Sequence, residues 1–415
     1  MLKIAYQCPQ CGAPATLEET DRIFSCPFCR VRLCLLPHGH FRYCLSPAPS
    51  AGKDVIFVPY WRFRGMLFSC EPYRVCQRVV DTTLLALNDA SLPVSLGLRP
   101  QALKLKFAAA MEDARFLRPH LSFEQFFSGV SGPEMLADDP AQTCTEFHRA
   151  FIGEVGSLVY SPIFIHNNVI YDAILDRPIA TDAGNVAADE RFSFEERPDW
   201  RIKFLPTLCP NCGWTLAGER ESWALHCSNC DSVWGIFGQD LRRIDFGVVS
   251  DGGNTESAIY LPFWRIRPRV EGLSLRSYAD LVRLANLPKA IRKEWDDLDF
   301  YFWSPAFKIQ PAHFLRLARQ MTLSQPMKNL ERHLPKSPLY PITLPMSDAA
   351  DGLKIVLAQT AMDKKSLFPR LGEIQIQAEE FLLVYFPFAA NSTEFIQPQL
   401  QCSIQRSALS FARTL

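Results

Sequence analysis

The chain has 415 residues, of which 48% are hydrophobic and 21% are charged, and its 44 basic side chains balance its 44 acidic ones. This composition is typical of a globular protein with two or three domains of ordinary size. The zero net charge argues against a protein built mainly to neutralise phosphates, because such proteins usually carry a basic excess. No apolar run reaches the roughly 18 residues that a membrane-spanning helix needs.

The chain opens with "MLKIAYQCPQCG", which enters a cysteine motif at once. That leaves no room for the apolar core of a signal peptide, so we expect a cytoplasmic location. In that compartment the 14 cysteines are expected to be thiols or metal ligands rather than disulfides.

Two cysteine pairs at the start of the chain form a C-x2-C-x14-C-x2-C motif, made by Cys8, Cys11, Cys26 and Cys29. Each short loop can turn two sulfurs towards one point, and two such loops complete a tetrahedron around zinc. The Pro and Gly of "CPQCG" favour the tight turn. We therefore predict a zinc ribbon over residues 1–34. Iron is the alternative metal, because rubredoxins also use four thiolates, although their spacer is usually longer.

A second group of possible ligands follows in "CLLPHGHFRYC", namely Cys34, His38, His40 and Cys44. The residue types suit zinc, but the corresponding stretch of the second half, "GIFGQDLRRID", has no Cys or His, and a turn at Pro37 to Gly39 with two exposed histidines explains the pattern without a metal. The favoured interpretation is the turn. The cysteines outside these motifs are expected to be buried thiols: Cys70, Cys76, Cys144 and Cys402.

The stretch "IFVPYWRFR" (residues 56–64) is rich in β-branched and aromatic residues and predicts a strand. With a period of two, Trp61 and Phe63 point one way and Arg62 and Arg64 point the other. The Pro before the Trp predicts a sheet edge or the start of a strand. Further on, "SPIFIHNNVIYDAI" predicts a strand, an Asn-rich turn and a second strand.

The same order of motifs returns in the second half. A second quartet, Cys209, Cys212, Cys227 and Cys230, lies 201 residues after the first, and Trp264 of "IYLPFWRIR" follows Trp61 by 203. "LLVYFPFAA" matches "SLVYSPIFI" at an offset of 225. Three motifs in the same order predict an internal duplication. The predicted domains are a ribbon and an α+β body in each half, with bounds 1–34, 35–199, 200–236 and 237–415.

Helices are predicted where apolar residues recur at helical spacing. The candidates are "PQALKLKFAAAMEDA" (100–114), "YADLVRLANLPKAIRKEWDDL" (278–298, interrupted at Pro288) and "PAHFLRLARQM" (311–321). Surface loops are predicted at residues 131–140 and 181–190. The predicted fold class is α+β, with a mixed antiparallel sheet and helices after each ribbon.

The arginines of the repeated strand could hold an anionic ligand, a phosphate backbone or an acidic partner, and they are Arg62, Arg64, Arg265, Arg267 and Arg269. The favoured alternative is that acids of the same chain pair with them. Seven of the eight tryptophans lie between Trp200 and Trp303, where they pack the second ribbon on its body or present a partner surface.

No motif of a known catalytic class is found: there is no phosphate loop, nucleophile elbow, dinucleotide fingerprint or metal-binding His helix. Four thiolates around each of two zinc ions leave no position for a substrate. The leading hypothesis is a non-enzymatic adaptor that binds another protein, with no small-molecule substrate. The alternative is a nucleic-acid-binding accessory factor of transcription or replication.

The quartet "CPNCG" followed by the strand "YLPFW" resembles bacterial zinc-ribbon proteins of unknown function, some of which carry both elements twice. The resemblance could cover most of the chain. It implies two structural zinc ions and a duplicated plan, and it brings no activity with it.

Overall fold

The computed structural model describes residues 2–49, 54–111, 114–126, 145–180, 193–195, 200–250, 258–326 and 330–411. It is a mixed α+β structure with more strand than helix, so the predicted fold class is confirmed at that level. No helix among these residues is long and apolar enough to cross a membrane. The loops predicted at 131–140 and 181–190 lie outside the described residues, as does Cys144.

The strands of the first half, up to residue 199, are β1 (Lys3–Gln7), β2 (Pro14–Glu18), β3 (Ile23–Ser25), β4 (Arg32–Leu36), β5 (Phe41–Leu45), β6 (Ile56–Glu71), β7 (Arg74–Leu85), β8 (Lys104–Phe107), β9 (Arg115–Phe116), β10 (His148–His166), β11 (Val169–Asp172) and β12 (Arg177–Ala180). Those of the second half are β13 (Lys203–Pro206), β14 (Ala224–Cys227), β15 (Ser232–Phe237), β16 (Asp240–Ile244), β17 (Phe246–Val249), β18 (Ala258–Glu271), β19 (Phe302–Pro305), β20 (Leu330–Glu331), β21 (Gln375–Ala390), β22 (Glu394–Gln397) and β23 (Cys402–Gln405). The helices are α1 (Arg99–Ala102), α2 (Tyr278–Leu284), α3 (Pro311–Ser324), α4 (Met346–Asp351), α5 (Leu353–Thr360), α6 (Lys364–Leu367) and α7 (Arg406–Phe411).

Each half is organised around one large sheet. The first has the order β12-β11-β10-β5-β8-β1-β2, and β6 pairs with β10, β7 and β9. The second has the order β19-β18-β21-β17-β20, with β22 and β23 continuing from β21. Two small three-stranded sheets, β13-β4-β3 and β14-β15-β16, belong to the cysteine-rich parts of the chain.

The repeated sequence motifs lie on paired strands in the same register in both sheets. On β6 and β10, Trp61 is opposite Leu158, and on β18 and β21, Trp264 is opposite Leu383. Each of these strand pairs is antiparallel, and each second strand has a parallel neighbour, β5 or β17. The two halves therefore share the pairing of their central strands.

The sequence predicted the proline of the repeated strand at a strand start or a sheet edge, and this prediction is wrong. Pro59 and Pro262 lie inside the long strands β6 and β18. In both cases the pairing with a second neighbour begins at the next residue, and the proline carbonyl accepts a 3.0 Å hydrogen bond from Ala86 or Ala306. The N–H that proline lacks is thus at the residue just before the pairing with the second neighbour begins.

The predicted helices have mixed outcomes. The helix at 311–321 is confirmed as α3, and the one at 278–298 is limited to α2, which ends before Pro288. The helix at 100–114 is wrong beyond α1, since the chain turns into β8 at Lys104. There the exposed Lys104 and Lys106 alternate with the buried Leu105 and Phe107, which is a strand period.

The largest hydrophobic core belongs to the second half but receives the far ends of β6 and β10. Phe68 packs against Phe314 of α3, with ring centroids 5.8 Å apart, and Ile152 lies in the same core. The first half has two further cores, one on each side of its sheet. The predicted boundaries at 34 and 236 fall inside β4 and β15, so continuous strands cross them.

Candidate metal centres

The first cysteine cluster lies where two tight turns meet. One turn joins β1 to β2 and carries Cys8 and Cys11, and the other joins β3 to β4 and carries Cys26 and Cys29. The Sγ atoms of Cys8 and Cys29 are 3.7 Å apart, as are those of Cys11 and Cys26. All four sulfurs lie within 4.8 Å of one another.

The second cluster repeats this geometry with Cys209, Cys212, Cys227 and Cys230. The distance between Sγ atoms is 3.6 Å for Cys209 and Cys230 and 3.5 Å for Cys212 and Cys227. Again all four sulfurs lie within 4.8 Å of one another. The prediction that each quartet converges on one point is confirmed.

Both clusters fit a tetrahedral metal ion. With metal–sulfur bonds of about 2.3 Å, the edge of the sulfur tetrahedron is about 3.8 Å, which the observed separations approach. They are far longer than a disulfide bond of about 2.05 Å. The residues present can therefore hold two ions, and the four thiolates of each cluster complete its coordination shell.

The four turns share one backbone device. The residue after the second cysteine has a positive φ in each of them: Gly12 (72°), Arg30 (62°), Gly213 (73°) and Asp231 (46°). This conformation allows the amide of that residue to donate back to the carbonyl of the first cysteine, as from Gly12 to Cys8 at 2.8 Å. The predicted role of glycine in these turns applies to two of them, and Arg30 and Asp231 adopt the same conformation without it.

Backbone amides near the sulfurs favour the thiolate form. Burial alone would raise the pKa of Cys26, but hydrogen bonds from the amides of Cys29 and Phe28 lower it to about 6. The pKa of Cys209 is likewise about 6, because the amides of Cys212 and Asn211 outweigh the effect of burial. Metal ions bind thiolates, so these amides prepare Cys26 and Cys209 for a metal. Each cluster also holds one thiol whose pKa is raised to about 12: burial and neighbouring sulfurs raise the pKa of Cys227, and for Cys29 the lowering effect of the Val31 amide is outweighed by the same causes.

The part of the chain around the first cluster, module 1 (residues 2–36), is tied to the first sheet through Glu19. This buried carboxylate accepts from Arg62 at 3.1 and 3.2 Å and from Arg64 at 3.3 Å. Asp81 pairs with Arg62 on the other side. The side chains of Arg62 and Arg64 are only 2% and 3% exposed, so these two arginines do not form the predicted partner surface.

The arginines of β18 have a different environment. Arg265 lies over the ring of Tyr301 at 4.5 Å. Arg267 pairs with Glu380 at 3.2 Å, and Arg269 lies 3.9 Å from Glu379. The side chains of Arg267 and Arg269 are 38% and 62% exposed. In both halves the aromatic side of the strand is buried as predicted, and acids of the same chain meet most of the arginines.

The second cysteine-rich part, module 2 (residues 203–244), packs directly on module 1. Its first strand, β13, pairs with β4 of module 1, and Thr207 donates to the carbonyl of Arg32 at 3.3 Å. The backbone amides of Arg22 and Ile23 both donate to the carbonyl of Arg220. A shared apolar cluster fills the interface, formed by Ile23, Cys34, Leu36, Cys209, Leu216, Leu225, Cys227, Trp234 and Ile236.

Module 2 is also anchored to the second sheet. Its Glu221 accepts from the buried Lys308 at 2.9 Å, and Trp223 donates its backbone amide to Ile342. Asp231, in the fourth cysteine turn, accepts from the ring of His333 at 3.0 Å. The two modules thus form a connected layer that contacts both sheets.

The third candidate ligand group does not come together. Cys34 lies in β4 within the interface between the modules, whereas Cys44 lies in β5 within a core of the first sheet. His38 and His40 are exposed, and the His40 ring stacks on Phe123 with centroids 5.2 Å apart. Within the described residues, only the two cysteine quartets bring three or more possible ligands together. Of the other thiols, Cys70 and Cys402 are buried and Cys76 is half-buried.

Large apolar side chains stand exposed on the cysteine turns, which the sequence analysis raised only as an alternative for the tryptophans near the second quartet and did not predict for Phe28 and Leu208. Phe28 lies between Cys26 and Cys29 and is 65% exposed, and Leu208 and Trp214 flank the third turn at 50% and 58%. Because β4 and β13 are antiparallel, the second and third turns lie at the same end of their shared sheet. We call these three residues the knuckle face. Of the other tryptophans between residues 200 and 303, Trp234, Trp264 and Trp303 are buried.

Comparison of the chain with family models, with curated proteins and with solved structures finds no match.

Proposed function

We propose that this protein is a non-enzymatic, zinc-binding adaptor that docks a protein partner on the knuckle face. The observation that carries the proposal is the exposure of Phe28, Leu208 and Trp214 on turns whose backbone a metal would hold rigid. Exposed aromatic side chains on a rigid frame are good interface anchors, because little conformational entropy is lost when they are buried.

The proposed metal is zinc in both clusters, with a structural role. Four thiolates suit zinc and leave no open coordination position, so neither ion would bind a substrate or an activated water. Metal analysis of the purified protein should give about two zinc per chain. An iron–thiolate absorption spectrum would change the metal, and one ion or none would reject the double site.

The duplicated architecture belongs to the same proposal. The matching registers of Trp61 with Leu158 and of Trp264 with Leu383 support two divergent copies of a zinc ribbon followed by an α+β body. The sequence resemblance to bacterial double zinc-ribbon proteins and a cytoplasmic location are part of this proposal. The direct pairing of β4 with β13 makes both copies contribute to the proposed docking surface, because one ribbon alone would supply only part of the knuckle face.

The repeated strands give little support to the alternative, a nucleic-acid accessory factor that uses its arginines. Glu19 and Asp81 neutralise Arg62 and Arg64 inside the protein. Arg267 and Arg269 lie beside Glu379, Glu380 and Glu271 at the surface. A phosphate backbone would have to displace these carboxylates.

Affinity capture from the native cell extract tests the docking proposal. The bait variants are a knuckle double variant, Phe28→Ser with Trp214→Ser, and a control, Leu98→Ser with Met362→Ser, which removes equally exposed apolar side chains elsewhere. We expect wild type and control to retain the same protein after high-salt and nuclease washes, and the knuckle variant to lose it. Zinc content and circular dichroism of each bait verify folding. Equal retention by both variants, or release by nuclease, would contradict the proposal.

A further inference from the structure

A groove of about 960 Å³ lies beside the first cysteine cluster, where β1 and β8 end. Gln7, the last residue of β1, and Phe107, the last residue of β8, both line it. Pro27, between Cys26 and Cys29, belongs to the wall, so the metal-held turn shapes one side. This volume suits a ligand of about nucleotide size.

The charged side chains among the described lining residues of the groove are all basic. Lys104, Lys106 and Arg201 line it, and no carboxylate side chain is found among its described lining residues. Lys104 and Lys106 project from the side of β8 opposite to Phe107, so the groove runs from that side around the ends of β1 and β8 to the aromatic rings. Neither lysine side chain has a hydrogen-bond or ion-pair partner among the residues that the structure describes. The groove therefore favours an anion, in a protein whose net charge is zero.

Three aromatic rings form the apolar part of the groove. Tyr6 stacks on Phe204, with centroids 5.4 Å apart and planes 20° apart. Phe107 meets Tyr6 edge-on at 5.4 Å. A flat ring laid against Tyr6 or Phe204 would extend this stack, and such stacking on aromatic side chains is worth about 1–3 kcal/mol per base.

We propose that this groove binds a nucleoside phosphate, with the base on the aromatic stack and the phosphate at Lys104 and Lys106. An acidic peptide would satisfy the lysines but would not use the stacked rings, so the combination favours a planar ring joined to an anion. The ligand is either a free nucleotide or one unit of a single strand. The site goes beyond the proposed protein adaptor and shares no residue with the knuckle face.

Binding measurements on the zinc-loaded full chain test this site with two probes, AMP and a ten-nucleotide deoxythymidine strand. The groove variant is Lys104→Gln with Lys106→Gln. Its control is Lys293→Gln with Lys336→Gln, which removes two exposed charges of the second half. We expect the groove variant to weaken binding about tenfold and the control to change it less than twofold. If the strand is the ligand, the salt dependence should fall by about 0.7 in log–log slope, which is the value for one phosphate that the variant no longer neutralises.

A second variant, Phe204→Ala, separates stacking from charge. It should weaken binding of either probe without changing the salt dependence, because no cation is removed. Saturable binding of AMP assigns the site to free nucleotides, whereas binding of the strand alone assigns it to single-stranded nucleic acid. No binding of either probe at low salt would overturn the proposal. So would equal weakening in the groove and control variants, or tighter binding of polyglutamate than of both probes.

Discussion

The strands β6 and β18 carry nearly the same sequence motif and use its arginines in opposite ways. On β6, Arg62 and Arg64 are buried against Glu19 of module 1, whereas on β18 the side chains of Arg267 and Arg269 stay partly exposed beside surface glutamates. The aromatic side of both strands is buried in a core. The strand motif therefore specifies a core face, and the element that covers the other face decides what the arginines do.

The difference follows from where each cysteine module attaches. Module 1 continues the first sheet, since β1 pairs with β8, and this places Glu19 over the arginines of β6. Module 2 has its own sheet, β14-β15-β16, pairs with module 1 through β13, and reaches the second body through Lys308 and Ile342. Two copies of one four-cysteine motif thus contribute differently to the fold: one completes a large sheet and the other lies against a large sheet.

Loss of a metal is expected to have the largest effect. Cys11→Ser and Cys212→Ser each remove one of four ligands and should reduce the bound zinc from about two ions to about one. The loss of stability should be large, because structural zinc contributes about 10–16 kcal/mol in small isolated domains. Cys11→Ser should destabilise the protein more, since module 1 carries the Glu19 contact that compensates two buried arginines. Metal analysis combined with urea unfolding measures both effects. Equal losses of stability in the two variants would remove the proposed difference between the modules.

Acid should release both metals, because protons compete with the metal for the thiolates. This release is a common property of the two clusters, so it serves as a reference for the Cys variants rather than as a separate test of the comparison.

Removal of the acid partner tests the arginine strands directly. Glu19→Gln should cost about 3–5 kcal/mol, because it removes the buried negative charge that compensates the guanidinium groups of Arg62 and Arg64. The matched change at the surface, Glu380→Gln beside Arg267, should cost less than about 1 kcal/mol. Urea unfolding of zinc-loaded protein measures both. A small effect of Glu19→Gln would mean that water or another carboxylate compensates the buried pair.

Substitution of Asp348, which lies in α4 at the contact between the halves, is expected to have a smaller, pH-dependent effect on the free energy of unfolding. Burial, with the charge of Asp351 second, raises the pKa of Asp348 to about 7, and α4 packs on β10 of the first half. A carboxyl whose pKa is raised in the folded state stabilises that state most at low pH, and stability falls as the pH rises from about 4 to about 7. Asp348→Asn should therefore gain about 1–2 kcal/mol relative to wild type at pH 8 and little at pH 4.

The control for that experiment is Asp280, whose pKa is shifted in the opposite direction. Burial would raise the pKa of Asp280, but hydrogen bonds from the backbone of Arg276 and Ser277 lower it. Its stabilising contribution is present at neutral pH and is lost as the pH falls below the usual range of an aspartate. Asp280→Asn should thus destabilise at pH 8. Parallel pH profiles of the two variants would contradict both assignments.

The sequence predicts what local chemistry fixes. Four thiolates at fixed spacing have few alternative uses, so Cys8 and Cys209 with their partners could be placed without a structure. Strand alternation likewise predicts that Trp61 and Arg62 face opposite ways. The pairing partner of Arg62 could not be predicted, because Glu19 lies 43 residues away and reaches it only through the sheet formed by β1 and β8.

Errors in the prediction arose where two periods compete. The segment around Lys104 combines good helix formers with an alternating Lys-Leu-Lys-Phe pattern, and pairing with β1 and β5 selects the strand. The exposed Phe28 was also missed, and exposure of Trp214 was only an alternative, since a four-cysteine motif specifies its ligands and leaves the residues around them free to vary. The sequence signal that remained was the concentration of tryptophan near the second quartet.

The smallest predicted effect compares the two turns of the first cluster. Gly12 and Arg30 occupy equivalent positions with φ of 72° and 62°. A Cβ at Gly12 meets no atom within 4 Å, so Gly12→Ala should cost only the backbone strain of about 1 kcal/mol. Arg30→Gly relieves that strain but loosens the unfolded chain by a similar amount, so its effect should stay within about 0.5 kcal/mol. Thermal unfolding at saturating zinc measures both changes. A larger loss for Arg30→Gly would show that the Arg30 side chain itself supports the turn, which would make the second turn of module 1 dependent on side-chain contacts and the first dependent on backbone conformation alone.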